Sequence, residues 1–390
     1  MILRRYSSLE EVRSDLNNGS VTVHSLVQYY LEQIQKHQNL NAFLEVFDEE
    51  ALKLAQEVDA KLKNGTAGKL AGMVLAIKDN IVYKGHKVSA SSQILKGFES
   101  LFSATAIERL LKEDAIIIGR TNCDEFAMGA SNENSSYGPV LNGLGNDLVP
   151  GGSSGGSAVA VQMDMCLAAL GSDTGGSIRQ PASFTGIYGY KPSYGMISRW
   201  GLIAYASSFD QIGPLCSSIS DTQILSEIMA GADEHDASML RQEKWDLKQS
   251  SPNPKKRIAY ISECLENEGI HPDVKSETIQ LIEQLKADGH IVEPVSFPYL
   301  DALVPCYYVL TTAEASSNLA RFQGLQYGYR SPNATDLEST FKKSRSEGFG
   351  PEVKRRIMLG TFVLSSDYYD AYYTKAQKVR ALIKASTEAI

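Results

Sequence analysis

Two runs of glycine and serine place the strongest constraint on this chain: Gly151-Gly152-Ser153-Ser154-Gly155-Gly156-Ser157 and Asp173-Thr174-Gly175-Gly176-Ser177-Ile178-Arg179. Both lie in a segment, 129–217, that is dense in Gly and Ser and poor in long charged side chains. Glycine is favoured where backbone must approach another group closely or take positive φ. A flexible linker would share this composition. The apolar stretches Ala158-Val-Ala-Val161 and Cys166-Leu-Ala-Ala-Leu170 argue against a linker, because they need burial. Each run therefore reads as a tight turn beside regular structure.

The flanking sequence alternates helix and strand patterns. Thr22 is placed to cap a helix whose Leu26, Val27, Tyr30, Leu31 and Ile34 fall on one face. Residues 49–63 repeat the pattern with Leu52, Ala55 and Leu62, ending at Asn64-Gly65. Met73-Val-Leu-Ala-Ile77 reads as a buried strand that delivers Lys78, Asp79 and Asn80 at its C-terminal end. A helix around 104–113 leads into a second buried strand, Ala115-Ile-Ile-Ile118. Ser220 is the expected cap of a helix through Met229, and residues 241–256 read as a polar surface loop. Strand Arg257–Ile261, helix 274–287 and strand Ile291-Val292 make one βαβ-like unit. The remainder reads as mostly helical, with a polar break at 330–350. This alternation predicts an α/β architecture with a mainly parallel or mixed sheet. The sequence stops in a helical stretch, Lys375 to Ile390, with no Gly or Pro after it, which predicts that the natural chain continues.

Charge and composition narrow the function classes. Lys+Arg number 38 against 46 Asp+Glu, a net charge of −8. Direct, non-specific binding to nucleic acid or to an anionic membrane needs a basic surface, so both are disfavoured. The first ten residues lack the apolar core of a signal peptide. No apolar run approaches the roughly 18 residues of a membrane span. The five cysteines are scattered without a CxxC pair, which fits a reducing cytoplasm. The six histidines are equally dispersed and no HExxH occurs, so no metal site is expected.

Successive N–H groups in a Gly-rich turn form an anion-binding concavity, which in acyl transfer serves as an oxyanion hole. Ser177, after Thr174-Gly175-Gly176, stands where a nucleophile would be wanted. The GxxxxGK[ST] phosphate loop is absent, and no GxGxxG opens a helix after a strand here. A serine nucleophile needs a base. Gly151-Gly-Ser153-Ser-Gly155 matches the GxSxG elbow, but that motif follows a strand directly, and here Val149-Pro150 precedes it. His235, His271 and His290 sit in polar surroundings and read as surface residues. Lys78 remains, at the end of a buried strand where desolvation lowers an amine's pKa. Two readings stay open on these residues: a serine hydrolase with a lysine base, and a binding module whose Gly-Ser loops hold an anion.

Val74-Leu-Ala-Ile-Lys78-Asp79-Asn80, the run Gly151 to Ser157 and the run Asp173 to Arg179 resemble, in order and spacing, the three signature blocks of the amidase signature family. A narrower likeness, to the glutaminase subunits of tRNA-dependent amidotransferases, is carried by five further segments. These are Glu125-Phe-Ala-Met-Gly129, Asn132-Glu-Asn134, Ala313 to Arg321, Lys354 to Gly360 and Tyr368 to Tyr373. The resemblance implies the amidase signature fold, a mixed β-sheet core covered by helices on both faces. It implies one large domain over 1–390 with its core at 65–220 and a C-terminal segment missing. It also implies a triad: Ser177 as the acyl-forming nucleophile, Ser153 as a bridging serine with a cis peptide bond, and Lys78 as the base. The N–H groups of Thr174, Gly175, Gly176 and Ser177 would form the oxyanion hole. Asp173 and Arg179 would support that loop by hydrogen bonding. Tyr307 and Arg356 would contact glutamine, Arg356 through its α-carboxylate; the alternative for Arg356 is a surface pair with Glu352. The acidic residue for the α-amino group would belong to a later segment. Cys123, where relatives often carry Met, reads as a small buried side chain.

The implied reaction is hydrolysis of glutamine through an acyl-serine, with ammonia passing to a B subunit. That partner would use ATP and Mg to activate Glu or Asp on misacylated tRNA. A small C subunit would complete a cytoplasmic heterotrimer in which tRNA is contacted mainly through the partner. No cofactor is implied for this chain, and no membrane. The alternative within the family is a stand-alone amidase acting on a small or aryl amide, which an apolar pocket at the recognition pair would favour.

Overall fold

The computed structural model describes residues 4–145, 147–240, 245, 247 and 255–390. Two of the runs read as strands, at 73–77 and 115–118, join four strands not read from the sequence in one mixed sheet. Its members are β1 (Phe43–Val46), β2 (Val74–Lys78), β3 (Ile116–Thr121), β4 (Ala168–Asp173), β5 (Tyr188–Gly189) and β6 (Gln211–Cys216), in the order β1-β3-β2-β4-β6-β5. β2 runs parallel to both β3 and β4, while β1, β6 and β5 pair antiparallel. Every residue of β2, β3, β4 and β6 is buried, so both faces of the sheet are covered. That double burial is why these strands read as continuous apolar runs and not as alternating ones. The mixed α/β architecture anticipated from the alternation is the one observed.

The chain divides into two compact units, Met1–Leu247 with Glu314–Met358, and Lys248–Ala313 with Leu359–Ile390. The first holds the six-stranded sheet. The second holds β7 (Arg257–Ile261) and β8 (Ile291–Val295), a parallel pair joined through helix Pro272–Ala287, which is the βαβ unit expected there. Among the described residues no helix is long and apolar enough to cross a membrane.

Local signals explain most helix boundaries. Thr22 caps helix Val23–Lys36 through a reciprocal box: its Oγ1 accepts from Ser25 N and Ser25 Oγ accepts from Thr22 N, both at 3.0 Å. Val23, Leu26, Val27, Tyr30 and Ile34 form its buried face. Two boundaries differ from the sequence expectation. Helix Ile219–Met229 is capped by Ser218, not Ser220, because the Ser218 hydroxyl accepts from Asp221 N at 3.1 Å. The polar break at 330–350 contains helix Leu337–Gly348, opened by a second capping box between Asp336 and Ser339. That helix buries Thr340, Ser344 and Gly348, small residues at four-residue spacing, so hydrophobic periodicity gave no sign of it. Most of the 241–256 loop lies outside the described residues.

Helix Gly155–Gln162 sits against the sheet and is buried at every position. Its approach depends on Gly156: a Cβ there would lie 2.3 Å from Asn122 O and 2.6 Å from Ala42 O. The Gly-Ser segment is thus packed against backbone too closely for any larger residue. This helix and β4 hold the two serine runs side by side.

Candidate active site

β2 ends inside the protein and leaves Lys78 there, fully buried. Its Nζ lies 2.7 Å from Ser153 Oγ, 2.9 Å from Ser154 Oγ, 3.0 Å from Ser172 Oγ and 3.4 Å from Ser172 O. Ser154 Oγ donates to Ser172 O at 3.2 Å, and Ser172 Oγ accepts from Asn80 Nδ2 at 2.8 Å. A neutral amine has two donors and one acceptor lone pair. With Ser154 donating to a carbonyl, Ser153 and Ser172 are the hydroxyls available to point a proton at that lone pair, and Ser153 is the nearer of the two. Burial lowers the Lys78 amine below the usual lysine range, while Cys123 and the carboxylates of Asp124, Asp173 and Asp210 oppose the shift.

The first serine run carries Ser153 on a cis Gly152–Ser153 peptide bond. Ser153 is fully buried and its carbonyl accepts from Asp124 N at 3.2 Å. Gly152 N donates to Gln180 Oε1 at 2.9 Å, and Ser154 N donates to Ser177 O at 3.1 Å. These bonds clamp the first run onto the second. Ser177 itself is nearly buried, with 7% of its surface exposed.

The second run folds around the Asp173 carboxylate. Asp173 accepts from Gly176 N at 2.7 Å, from Ile178 N at 3.2 Å, and from both Nε and Nη2 of Arg179 at 3.0 Å. Burial would raise this carboxyl, but the Arg179 fork and the backbone donors outweigh it and hold the group below the usual carboxylate range. The arrangement corrects the expected oxyanion set. Gly176 turns its N–H to Asp173, so it is withdrawn, and its φ of +119° suits only glycine. Among the described residues the N–H groups of Thr174, Gly175 and Ser177 have no acceptor and stay in the set. Thr174 is fixed by its hydroxyl, which donates to Asp210 Oδ1 at 2.5 Å.

Several participants were not singled out from the sequence. Ser154 and Ser172 solvate the amine, and Asn80 Nδ2 in turn donates to Ser172 Oγ. Asp124 accepts from Asn132 N and Asn134 N at 3.0 and 3.1 Å and presses on Gly152, where a Cβ would lie 2.1 Å from its Oδ2. Burial pushes the Asp210 carboxyl up to about 7, against hydrogen bonds from Thr174, Tyr205 and Ala206 that favour its charged form. Asp79, by contrast, is structural: it accepts from Ser89 N and Ser91 N and pairs with Arg120.

Glu125 links the loop after β3 to the start of helix Pro351–Val363. Its carboxylate accepts from Ser92 Oγ and from Gly350 N, the latter at 2.9 Å to Oε2. Burial pushes this carboxyl up to about 7. An acid with a raised folded pKa keeps its proton in the folded state while the unfolded chain releases it. Stability is therefore greatest below the ordinary Glu pKa and falls as pH rises through 7, by about 3 kcal/mol for a shift of this size. Urea unfolding at pH 5 and pH 8 should show wild type losing more stability than Glu125→Gln over that interval. An equal loss in both would contradict titration of Glu125.

Arg356 is not the exposed partner of Glu352 weighed from the sequence. It is 7% exposed, donating from Nε to Glu352 Oε1 and from Nη1 to Tyr205 Oη, both at 2.8 Å. Tyr307 lies in the second unit on helix Leu300–Asn318, half-buried, with its ring edge-on to Tyr308 at 5.6 Å. Of the three histidines read as surface residues, His235 and His271 are exposed and His290 is half-buried; His235 stacks on Trp200, His271 caps helix Pro272–Ala287, and His290 Nδ1 accepts from Lys256 N. Cys123 is buried beside Ser91, and burial pushes its thiol up to about 12. No group of three His, Cys, Asp or Glu among the described residues is placed to hold a metal ion.

A buried amine touching a serine on a cis peptide, beside a second serine in a turn with free N–H groups, is an arrangement suited to acyl transfer. Comparison with known proteins points the same way. The amidase family matches residues 25–390. The chain is 50% identical over 382 residues to a protein of Chlorobium phaeobacteroides named as the A subunit of glutamyl-tRNA(Gln) amidotransferase, covering 97% of this chain and 80% of that one. The crystal structure of the A subunit of the same enzyme from Thermotoga maritima superposes with a TM-score of 0.72 at 36% identity, over 95% of this chain and 76% of that one. A crystal structure described as an amidase superposes with a TM-score of 0.81 at 31% identity, over 97% and 78%. The chain belongs to the amidase family.

Proposed function

We propose that this chain is the glutaminase subunit of a tRNA-dependent amidotransferase. The 2.7 Å contact between the buried Lys78 amine and Ser153 carries the chemical half of this reading. Neutral Lys78 takes the Ser153 proton as Ser153 takes that of Ser177, and Ser177 Oγ attacks the side-chain amide carbon of glutamine. The oxygen that gains charge faces the N–H groups of Thr174, Gly175 and Ser177. The relayed proton goes to the departing nitrogen, which leaves as ammonia, and water then cleaves the glutamyl ester. The ammonia passes to a B subunit, which activates Glu or Asp on misacylated tRNA with ATP and Mg. A C subunit completes the heterotrimer in the cytoplasm. The net charge of −8 agrees with leaving tRNA contact to the partner. The name shared by relatives near half identity supports the tRNA-linked half.

Ammonia release from glutamine, measured with and without the partner subunits, tests the reading. Release that rises on assembly is expected, and no release in the assembled complex would end it. Arg356 is the proposed α-carboxylate contact. Arg356→Lys loses the bidentate fork and should raise KM for glutamine about tenfold or more with a smaller change in kcat.

The second reading, a stand-alone amidase, draws on an apolar cavity, which neither Tyr307 nor Arg356 lines. This cavity, of about 470 Å³, is lined by Phe98, Phe102, Trp200, Phe322 and Tyr327, and it shares Trp200 and Leu202 with a smaller one that reaches Asp210. Faster turnover of benzamide than of glutamine would support that reading.

A further inference from the structure

We propose that Tyr205 is a positioning residue for glutamine recognition, acting through Arg356. This rests on the reading of Arg356 as the α-carboxylate contact. A guanidinium on a flexible stem recognises a carboxylate well only when its plane is held. Here it is held at two edges: Glu352 takes Nε and Tyr205 Oη takes Nη1. The guanidinium carbon also lies 5.4 Å from the centre of the Tyr205 ring.

Tyr205 is itself fixed from its backbone. Its N–H and that of Ala206 donate to Asp210 Oδ2 at 2.9 and 3.0 Å, and its carbonyl accepts from Asn318 Nδ2 at 3.2 Å. The other oxygen of Asp210 takes the Thr174 hydroxyl. One buried carboxylate thus anchors both the residue that aims Arg356 and the turn that carries Ser177. The ring is 1% exposed, so its oxygen has little freedom to find another position. A tyrosine kept only for packing would not need its hydroxyl on the recognition arginine.

The test is a double-mutant cycle on glutaminase kinetics, with the full chain assembled with its partner subunits. Tyr205→Phe deletes one oxygen and keeps the ring. It should raise KM for glutamine about tenfold and leave kcat within about threefold. In the Arg356→Lys background the same change should add less than about threefold, because the two residues act as one unit. A lower kcat at unchanged KM, or effects that multiply in the double variant, would overturn the proposal and leave Tyr205 a packing residue. A wild-type KM in Arg356→Lys alone would overturn the reading of Arg356, and the role of Tyr205 with it. Urea midpoints of all four proteins show whether the fold is retained.

Discussion

Replacing Ser177 by Ala should lower glutamine turnover by at least about 10⁴-fold while glutamine still binds. The reason is geometric. Ser177 closes a turn folded around the buried Asp173 carboxylate, and its carbonyl is tied to Ser154 N. Its backbone is therefore held against the run that carries Ser153, and the proposed relay passes its proton through Ser153. Removing Oγ removes the atom placed to form the ester, yet changes nothing that the turn hangs from. Unfolding should consequently be unaffected within about 0.5 kcal/mol. Labelling provides a second readout: a sulfonyl fluoride should modify wild type at Ser177 and fail to modify the variant. Turnover within tenfold of wild type, or equal labelling of both, would exclude Ser177 as the nucleophile. The same result would revive the anion-binding reading of the Gly-Ser loops.

How far the site could be read from sequence follows from how local each signal is. Lys78 was legible as the residue ending a strand buried on both faces, but a lysine there is usually a solvated charge, so its role as the base came from the three matching motifs and not from the strand. The Asp173–Arg179 support was legible because the two residues lie within one turn, six positions apart. Asp210 was not. It meets Thr174 only because β6 lies antiparallel beside β4, with Gln211 opposite Asp173, and strand order is not written in any short segment. Tyr205 and Arg356 meet across 151 positions for the same kind of reason. The withdrawal of Gly176 N–H from the oxyanion set was hidden too. Motif position names a glycine but does not say which acceptor its N–H faces. The small-residue helix Leu337–Gly348 shows the limit of periodicity, which detects apolar faces and misses faces built from Thr, Ser and Gly.

The role of the amine gives the second large effect. Lys78→Met keeps an unbranched stem of similar length in the same buried space and removes only the basic nitrogen. It should lower turnover about 10²–10⁴-fold, the usual contribution of a positioned general base. The pH profile of wild type separates a base from a structural lysine. The reactive form is the neutral amine, and burial lowers the Lys78 pKa from its ordinary value. Turnover should therefore climb as pH rises through that lowered pKa and then level off. Cys123, Asp124, Asp173 and Asp210 oppose the lowering, and the climb lies below the ordinary lysine range. In Lys78→Met the residual rate should lose this limb altogether. Here Ser153 would face a thioether that accepts protons poorly, and the serine hydroxyls around it are too weakly basic to take the Ser177 proton. A flat wild-type profile across that range would remove Lys78 from the chemistry. So would a Met variant that keeps the climbing limb, because the group responsible would then be one the variant still possesses.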